Sequence, residues 1–352
     1  IIQGKVRGLM QHNMLLIDEG GLPLGLVDQQ YWTKEGGIDW PSHQKESQKW
    51  FNGLAALNQQ AQGSSKRWVV TCDRESDIFE FFKAPREANV DVLVRVYQPR
   101  RVEVATAGTV CSLPDVAVHL DDYGQYYVQI ERQCDGKRRT VEVTLQLQAA
   151  TVHIYPNKDL SPALHKTQEL SLVVATEVAC VDIKTNAECF DADNALCWSL
   201  LTSLPIEHAD DVQRIVRFYA LRWRIERLHF TLKSGALDVE RLQFDDVHTL
   251  VNALSFYSVV AWRLLGLTYA LRQDPEQPAQ TMFEPDELKL LHQISGKPVD
   301  SLRQATLALT QLVGFAPSKK QPLPGVKVLA TAIERFFFVK QGAAAVSKPL
   351  QD

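Results

Sequence analysis

The segment at residues 213–233 combines many positive charges with a single carboxylate, in a chain whose formal net charge is −4. The only acid in this segment is Glu226. Its cations are Arg214, Arg217, Arg222, Arg224, Arg227 and Lys233. Guanidinium and ammonium groups hold phosphate through charge-assisted hydrogen bonds. The segment therefore has the composition of a phosphate-handling active site.

The spacing of these residues predicts how a helix would present them. At about 100° per residue, Tyr219, Arg222, Glu226 and Lys233 fall within roughly a 60° sector of one helix face. An apolar sector lies apart from it, so one continuous helix over residues 213–233 could dock on a core while its polar face lines a groove. The alternative is a solvated helix in which Arg222 and Glu226 form an ordinary ion pair of small value.

A second motif, RWVVTCDRESDI at residues 67–78, predicts a strand that ends at an acid. A short apolar run of this kind is typical of a buried strand, which puts Asp73 at its C-terminal end. Ligand sites in open α/β sheets gather at that edge. Aspartate also caps helices well. We assign the capping role to Asp77, because apolar residues begin directly after it.

These residues together resemble a known family. Tyr219, Arg222, Glu226 and Lys233 are similar to the tyrosine-arginine-glutamate-lysine signature of the insertion-sequence-four (IS-four) DDE transposases. The surrounding YALRWRIE sequence resembles the transposon-five (Tn-five) branch of that family. Similar motifs occur at residues 45–50, 73–78 and 197–203, and the similarity extends from about residue 13 to residue 336.

The resemblance implies a ribonuclease-H-like (retroviral-integrase-like) α/β catalytic core with an antiparallel β insertion and an all-α C-terminal domain. Carboxylates of such a core hold two Mg²⁺ ions, for which Mn²⁺ can substitute. The resemblance makes Asp73 and Glu226 the catalytic metal ligands. It also implies that Tyr219 and Arg222 hold DNA phosphate, and that Lys233 does so more loosely as a point charge.

Three further residues are candidates for DNA contacts. Trp198 resembles the aromatic residue that accepts a flipped base during hairpin formation, and a tryptophan of the core is the alternative. Arg95 ends a predicted strand and forms a second basic cluster or, alternatively, part of a solvated loop. Arg224, within the cationic segment, is also expected to bind DNA.

The family carries a third carboxylate on a strand that precedes a β-hairpin. The sequence predicts this hairpin at residues 13–29, with a Gly-Gly turn signal. Residues 1–12 contain no Asp or Glu. We therefore expect an N-terminally truncated chain that is incomplete for catalysis. Asp18 and Asp28 are candidates to substitute for the missing acid, although both fit turn positions.

Changes of pattern along the chain predict four segments. Residues 1–97 alternate strands and helices, as the first part of a catalytic core. Residues 98–202 form the antiparallel β insertion, and residues 203–272 complete the core with the signature helix. Residues 273–352 resemble the helical dimerisation domain of the family and predict a homodimer, whereas capping helices of a monomer are the alternative.

Composition restricts where the chain acts. With 45% hydrophobic and 23% charged residues it is typical of a soluble globular protein, and its DNA affinity has to come from local basic clusters. The six cysteines show no CxxC pair, which indicates buried reduced thiols in a cytoplasmic protein. The family resemblance implies the bacterial cytosol or nucleoid. The apolar run at residues 253–271 contains Arg263 and predicts a core helix, with no membrane partner.

The main hypothesis is a DDE transposase that catalyses cut-and-paste transposition. It would hydrolyse DNA at transposon ends, form hairpins and join the ends to target DNA. The alternative is a truncated, non-catalytic inhibitor that dimerises with full-length transposase. A stand-alone nuclease is a third possibility, but phosphate and base contacts for hairpin formation are superfluous for simple hydrolysis.

Overall fold

The computed structural model describes residues 8–33, 36–37, 46–134, 136–156, 166–235 and 237–346. It is a mixed α/β structure that divides into two compact units. The sheet unit is Pro41–Arg222, and the helical unit combines Ile1–Trp40 with Trp223–Asp352. Most of the acid-free N-terminal segment, residues 1–7, lies outside the described residues, as does Lys45 of the motif at residues 45–50.

The elements are numbered in chain order. The strands are β1 (Met10–Ile17), β2 (Pro23–Thr33), β3 (Gly36–Gly37), β4 (Trp68–Cys72), β5 (Val90–Arg95), β6 (Arg101–Val104), β7 (Thr109–Ser112), β8 (Asp121–Cys134), β9 (Lys137–Ile154), β10 (Gln168–Asp182) and β11 (Cys197–Thr202). The helices are α1 (Gln48–Ala61), α2 (Phe79–Lys83), α3 (Ala209–Leu221), α4 (Trp223–Phe230), α5 (Val247–Gln273), α6 (Pro285–Ser295), α7 (Leu302–Gln311) and α8 (Val326–Val346).

The sheet unit is built on one large mixed sheet. Its strand order is β4-β5-β11-β10-β9-β6-β7, and β8 pairs with β9. β4 and β5 are parallel, whereas β5 and β11 are antiparallel. The alternation predicted in β9 is confirmed, because Val141, Val143, Leu145 and Leu147 are all fully buried. They form one core with apolar residues of α3.

The four predicted segments do not coincide with these two units. Strands from residues 98–202 continue the sheet that contains β4 and β5, since β11 pairs with β5 and β10 with β11. The sheet continues beyond β5 because β5 is a buried strand, with Val92, Leu93 and Val94 fully buried. A buried strand needs a neighbour along each edge to satisfy its backbone donors and acceptors.

The predicted β-hairpin is confirmed in the helical unit. β1 and β2 are antiparallel, and Gly21 adopts a φ of +88° in the turn that connects them. Asp18 closes this turn, because its Oδ1 accepts a hydrogen bond from the Leu22 amide at 2.7 Å. Asp28 accepts one from the Gln30 side chain at 2.5 Å. Both acids hold local backbone or side-chain structure in the hairpin.

The core-helix prediction for residues 253–271 is confirmed by α5. Leu264, Leu267 and Leu271 of α5 are buried in a core shared with α6, α7 and α8. α5 also packs against α4 through Ala261 and Leu265. Within the described part of the chain, α5 is the one helix with the length and composition to cross a membrane, and a helix in the core of a soluble protein meets the same criteria.

The C-terminal helices begin at clear sequence signals. Glu284 and Glu287 form a capping box at the start of α6, which ends at Gly296 with a φ of +63°. Ser301 caps α7 together with Gln304. Such caps satisfy the amides that a helix start leaves without intrahelical partners. The helices predicted within residues 285–291, 300–313 and 327–338 are therefore confirmed.

One buried ion pair joins β8 to β10, and we expect it to dominate the stability of this part of the sheet. Arg132 donates two hydrogen bonds of 2.7 Å to Glu177, whose side chain is fully buried. We expect Arg132→Ala to destabilise the chain by about 3 kcal/mol, because it leaves the Glu177 charge buried without its cation. Urea unfolding followed by circular dichroism measures the change.

The matched control is Arg138→Ala on the neighbouring strand. Arg138 pairs with Glu131, but both side chains are more than half exposed. Exposed pairs stabilise proteins by about 1 kcal/mol or less. Equal losses of unfolding free energy in the two variants would show that burial of the Glu177 charge does not determine the effect of removing Arg132.

Candidate functional site

Asp73 lies at the carboxyl end of β4, as predicted. The strand ends at Cys72, and the chain turns into a short 3₁₀ helix, Arg74–Ser76. Asp73 Oδ1 accepts a hydrogen bond from the Glu75 amide at 3.0 Å, and the Ser76 hydroxyl donates to the Asp73 carbonyl at 2.8 Å. Asp73 is only half-buried. Its carboxylate is therefore fixed by a turn and still accessible at the sheet edge.

The prediction that Asp77 caps the next helix is wrong. α2 begins at Phe79 without a side-chain cap, and it is Asp73 that caps the preceding turn. Asp77 is buried instead. Its Oδ2 accepts hydrogen bonds from the amides of Tyr97 and Gln98 at 2.8 Å each, and its Oδ1 pairs with Arg100. A buried carboxylate requires such partners, and these lie twenty residues or more along the chain.

The charge of Arg222 acts on the Cys72 thiol at the same end of β4. Burial raises the pKa of the Cys72 thiol to about 12, while the Ser76 hydrogen bond and the positive charge of Arg222 act in the opposite direction. The negative charge of Asp73 adds to the rise. The charges of Arg222 and Asp73 thus both act on the Cys72 thiol, within the sheet unit.

Tyr219 and Trp198 are buried against each other. They are 2% and 5% exposed, and their ring centroids lie 5.1 Å apart at an interplanar angle of 68°. Such edge-to-face contact stabilises a core beyond simple burial. The Arg222 guanidinium carbon lies 5.9 Å from the Tyr219 ring centre. The structure places Tyr219 and Trp198 in the core under Arg222, in agreement with the alternative interpretation of Trp198.

The single helix predicted over residues 213–233 is interrupted at Arg222. α3 ends at Leu221, α4 starts at Trp223, and a π-helical turn, Thr231–Gly235, follows α4. The Arg222 amide bonds to the Tyr219 carbonyl at 3.0 Å, an i−3 pattern that is tighter than an α-helix.

The break has a physical reason in the two cores. Tyr219 is buried with the strands of the sheet unit, whereas Leu228 and Leu232 are buried with α5 in the helical unit. Because the apolar residues before and after Arg222 are buried in different cores, they do not have to form one continuous apolar face on a straight helix. Arg222 itself keeps helical φ and ψ angles of −51° and −32°, and Glu226 and Lys233 belong to the helical unit.

Glu226 and Lys233 flank a histidine that the sequence analysis missed. Burial lowers the pKa of His229, the negative charge of Glu226 opposes this shift, and the positive charge of Lys233 adds to it. Lys233 also pairs with Glu240 at 3.3 Å. Glu226 and His229 are three residues apart on α4, a spacing that puts side chains on one helix face. That spacing was a usable signal for His229.

Arg224 and Arg95 make structural contacts within their own units. The Arg224 guanidinium carbon lies 3.9 Å from the centre of the Tyr269 ring, and its Nε donates to the Gly21 carbonyl at 3.2 Å. Arg95 donates to the Cys197 carbonyl at 3.1 Å, next to Trp198. Arg224 thus anchors the hairpin turn, and Arg95 ties the end of β5 to the start of β11.

The carboxylates of Asp73 and Glu226 are hard oxygen donors of the kind that Mg²⁺ and Mn²⁺ prefer. They belong to different units. Over the ranges that the structure describes, no group of three or more His, Cys, Asp or Glu side chains is arranged to hold a metal ion. No model of a known protein family matches the chain.

The environment of His229 predicts a pH dependence of stability. A histidine whose folded pKa is lowered binds its proton more readily when unfolded, so stability falls as pH drops below the unfolded value of about 6.5. We expect His229→Gln to flatten the stability profile between about pH 7 and pH 5. Urea midpoints measured across this range test it. His119→Gln, at an exposed position, is the control and should leave the profile unchanged.

Proposed function

We propose that the chain is a DNA transposase of the DDE type, with a ribonuclease-H-like core, that cuts transposon ends and joins them to target DNA. The observation that carries the proposal is the position of Asp73 at the carboxyl edge of β4, where the charge of Arg222 also acts on the Cys72 thiol. An acid and a bidentate phosphate binder at one sheet edge are what phosphodiester chemistry needs. The resemblance of the signature residues supports the same conclusion.

Asp73 and Glu226 are the residues that would hold divalent cations in this proposal. When bound, Mg²⁺ activates water or a DNA 3′-hydroxyl and stabilises the leaving oxygen. Proteins commonly bind Mg²⁺ through one or two carboxylates together with substrate phosphates. Glu226 is exposed and Asp73 half-buried, so both can reach a substrate. The turn hydrogen bond from Glu75 orients the Asp73 carboxylate before any ligand binds.

Arg222 is the phosphate ligand of the proposed site. Its planar fork matches two phosphate oxygens, which a lysine cannot do. Tyr219 and Trp198 position this arginine from below, because both rings are buried and Tyr219 lies beneath the guanidinium. Their burial favours this supporting role over direct contact with DNA. Lys233 is exposed on the helical unit and adds charge for the DNA backbone.

A homodimer is part of the proposal. α8 exposes two adjacent aromatic residues, Phe337 at 54% and Phe338 at 64%, while Phe336 beside them is buried in the core. Large exposed aromatics are typical of the centre of protein interfaces. A self-complementary contact through α8 would pair two active sites, as paired-end cleavage requires.

The metal assignment can be tested by a double-mutant cycle. We expect Asp73→Asn and Glu226→Gln each to abolish most high-affinity Mn²⁺ binding in the presence of duplex DNA, measured by electron paramagnetic resonance. If both residues hold the same ions, the double variant loses little more than either single variant. Glu75→Gln, adjacent to Asp73 but paired with Lys49, is the matched control. Unchanged Mn²⁺ binding in both single variants would refute the assignment.

The phosphate role of Arg222 predicts a specific salt dependence. We expect Arg222→Ala to weaken duplex DNA binding roughly 10- to 100-fold and to reduce the slope of log affinity against log salt by about 1. Arg222→Lys should keep the slope but not the full affinity, because it retains charge and loses the fork.

Fluorescence anisotropy over a range of salt concentrations measures both quantities. Arg303→Ala, at an exposed arginine of α7, controls for general loss of charge. If Arg222→Ala and Arg303→Ala behave alike, Arg222 is an ordinary surface charge and the proposed function loses its main support.

A further inference from the structure

Tyr97 presents an exposed aromatic ring at the edge where Asp73 lies. β4 and β5 are parallel, with Cys72 opposite Val94, so both strands end at the same edge of the sheet. Tyr97 follows the end of β5 by two residues and is 69% exposed. Tyrosine is on average intermediate in burial, so this ring is more exposed than is usual. Packing within the described residues therefore does not explain why an aromatic residue occupies this position.

The backbone that carries Tyr97 is held firmly. Its amide and that of Gln98 both donate to the buried Asp77 carboxylate at 2.8 Å. Arg100, three residues on, pairs with the same carboxylate. Val96, directly before the tyrosine, is 6% exposed and belongs to the core. The ring is thus presented by a fixed segment, which lowers the entropy lost when a ligand binds.

Arg74 supplies a positive charge next to the ring. It directly follows Asp73, and its guanidinium carbon lies 5.3 Å from the centre of the Tyr97 ring. This distance is within the range of cation–π attraction. Because Arg74 is exposed and Tyr97 remains 69% exposed beside it, much of the ring surface is open to a ligand. An open aromatic face beside a guanidinium matches a nucleobase and its adjoining phosphate.

We propose that Tyr97 and Arg74 form a stacking site for an unpaired nucleobase next to the DNA position that Asp73 serves. The proposal rests on the proposed function, because it assumes that Asp73 acts on DNA. Tyr97 would stack on the base, and Arg74 would hold the neighbouring phosphate. A base inside an intact duplex has both faces covered by its neighbours. The site therefore selects frayed or single-stranded DNA ends.

The charge of the surroundings favours DNA over a protein ligand. Arg74 follows the end of β4 and is exposed, so its guanidinium can approach a polyanion, and Arg95 adds positive charge at the end of β5. A peptide ligand would need an apolar groove around the ring. Gln98 and Pro99, which follow Tyr97, are exposed, and the cavity that Pro99 lines with Arg101, Val110, Cys111 and Ser112 does not include Tyr97.

The test compares two DNA probes of the same duplex sequence. One is blunt, and the other carries a short single-stranded overhang that contains 2-aminopurine, whose fluorescence falls when it stacks on an aromatic ring. We expect the full chain to quench the overhang probe and to bind it more tightly. Tyr97→Ala should weaken overhang binding roughly 5- to 100-fold and remove the quenching. Blunt-duplex affinity should stay unchanged, and Tyr97→Phe should retain both properties.

Tyr127→Ala is the matched control. Tyr127 is 59% exposed on β8, which three strands of the sheet and β9 separate from β4. This variant should leave both probes unaffected. Because Tyr97 is exposed, its removal should not unfold the chain, and circular dichroism verifies this.

The outcomes separate the stacking site from the function on which it rests. Tight DNA binding that Tyr97→Ala leaves unchanged on both probes would overturn the stacking site and leave the proposed function intact. An equal loss on both probes would also overturn it, because the contact would then not depend on an unpaired base. Failure of the unaltered chain to bind either probe would overturn both proposals.

Discussion

The carboxylate of Asp77 organises the edge of the sheet on which the proposed chemistry depends. A buried charge is tolerated only when each of its oxygens has a partner, and Asp77 takes its partners from the segment after β5. This requirement joins the ends of two parallel strands. Asp73 precedes Asp77 by one short turn, and Tyr97 is one of the donors, so the same interaction fixes the metal-ligand candidate and the exposed ring.

The break at Arg222 divides the signature residues between two cores. Tyr219 and Arg222 are positioned by the sheet unit, because the tyrosine ring packs on Trp198. Glu226 is positioned by the helical unit, where Leu228 packs against α5. Tyr219 and Arg222 are thus held by a different hydrophobic core from the one that holds Glu226.

Local signals in the sequence predicted much of the fold. The alternation in β9, the apolar run of β4 that stops at Asp73, the glycine turn of the hairpin and the caps of the C-terminal helices are all encoded by residues close to one another. These elements were confirmed. Contacts between residues far apart in the sequence could not be predicted from such local signals. The partners of Asp77 lie beyond residue 96, and the continuation of the β4–β5 sheet into β11 depends on pairing across more than a hundred residues.

In the candidate site, too, local sequence patterns predicted some features, whereas features that depend on distant residues were not predicted. Periodicity identifies which residues share a helix face, but it does not show which core each apolar residue enters. The interruption at Arg222 and the burial of Tyr219 therefore escaped the sequence analysis. His229 was missed for a different reason. Its three-residue spacing from Glu226 indicated a shared helix face, but its burial beside two charges depends on the elements packed around α4.

The contacts of Arg224 link two distant parts of the helical unit. This arginine holds the carbonyl of Gly21 and stacks on Tyr269, and it stands two residues before Glu226 on α4. Gly21 adopts a φ of +88°, a backbone conformation that residues with a side chain rarely adopt. Replacing this glycine would strain the turn whose carbonyl accepts the Arg224 hydrogen bond. The carbonyl of the hairpin turn is thus held by the same helix that carries Glu226.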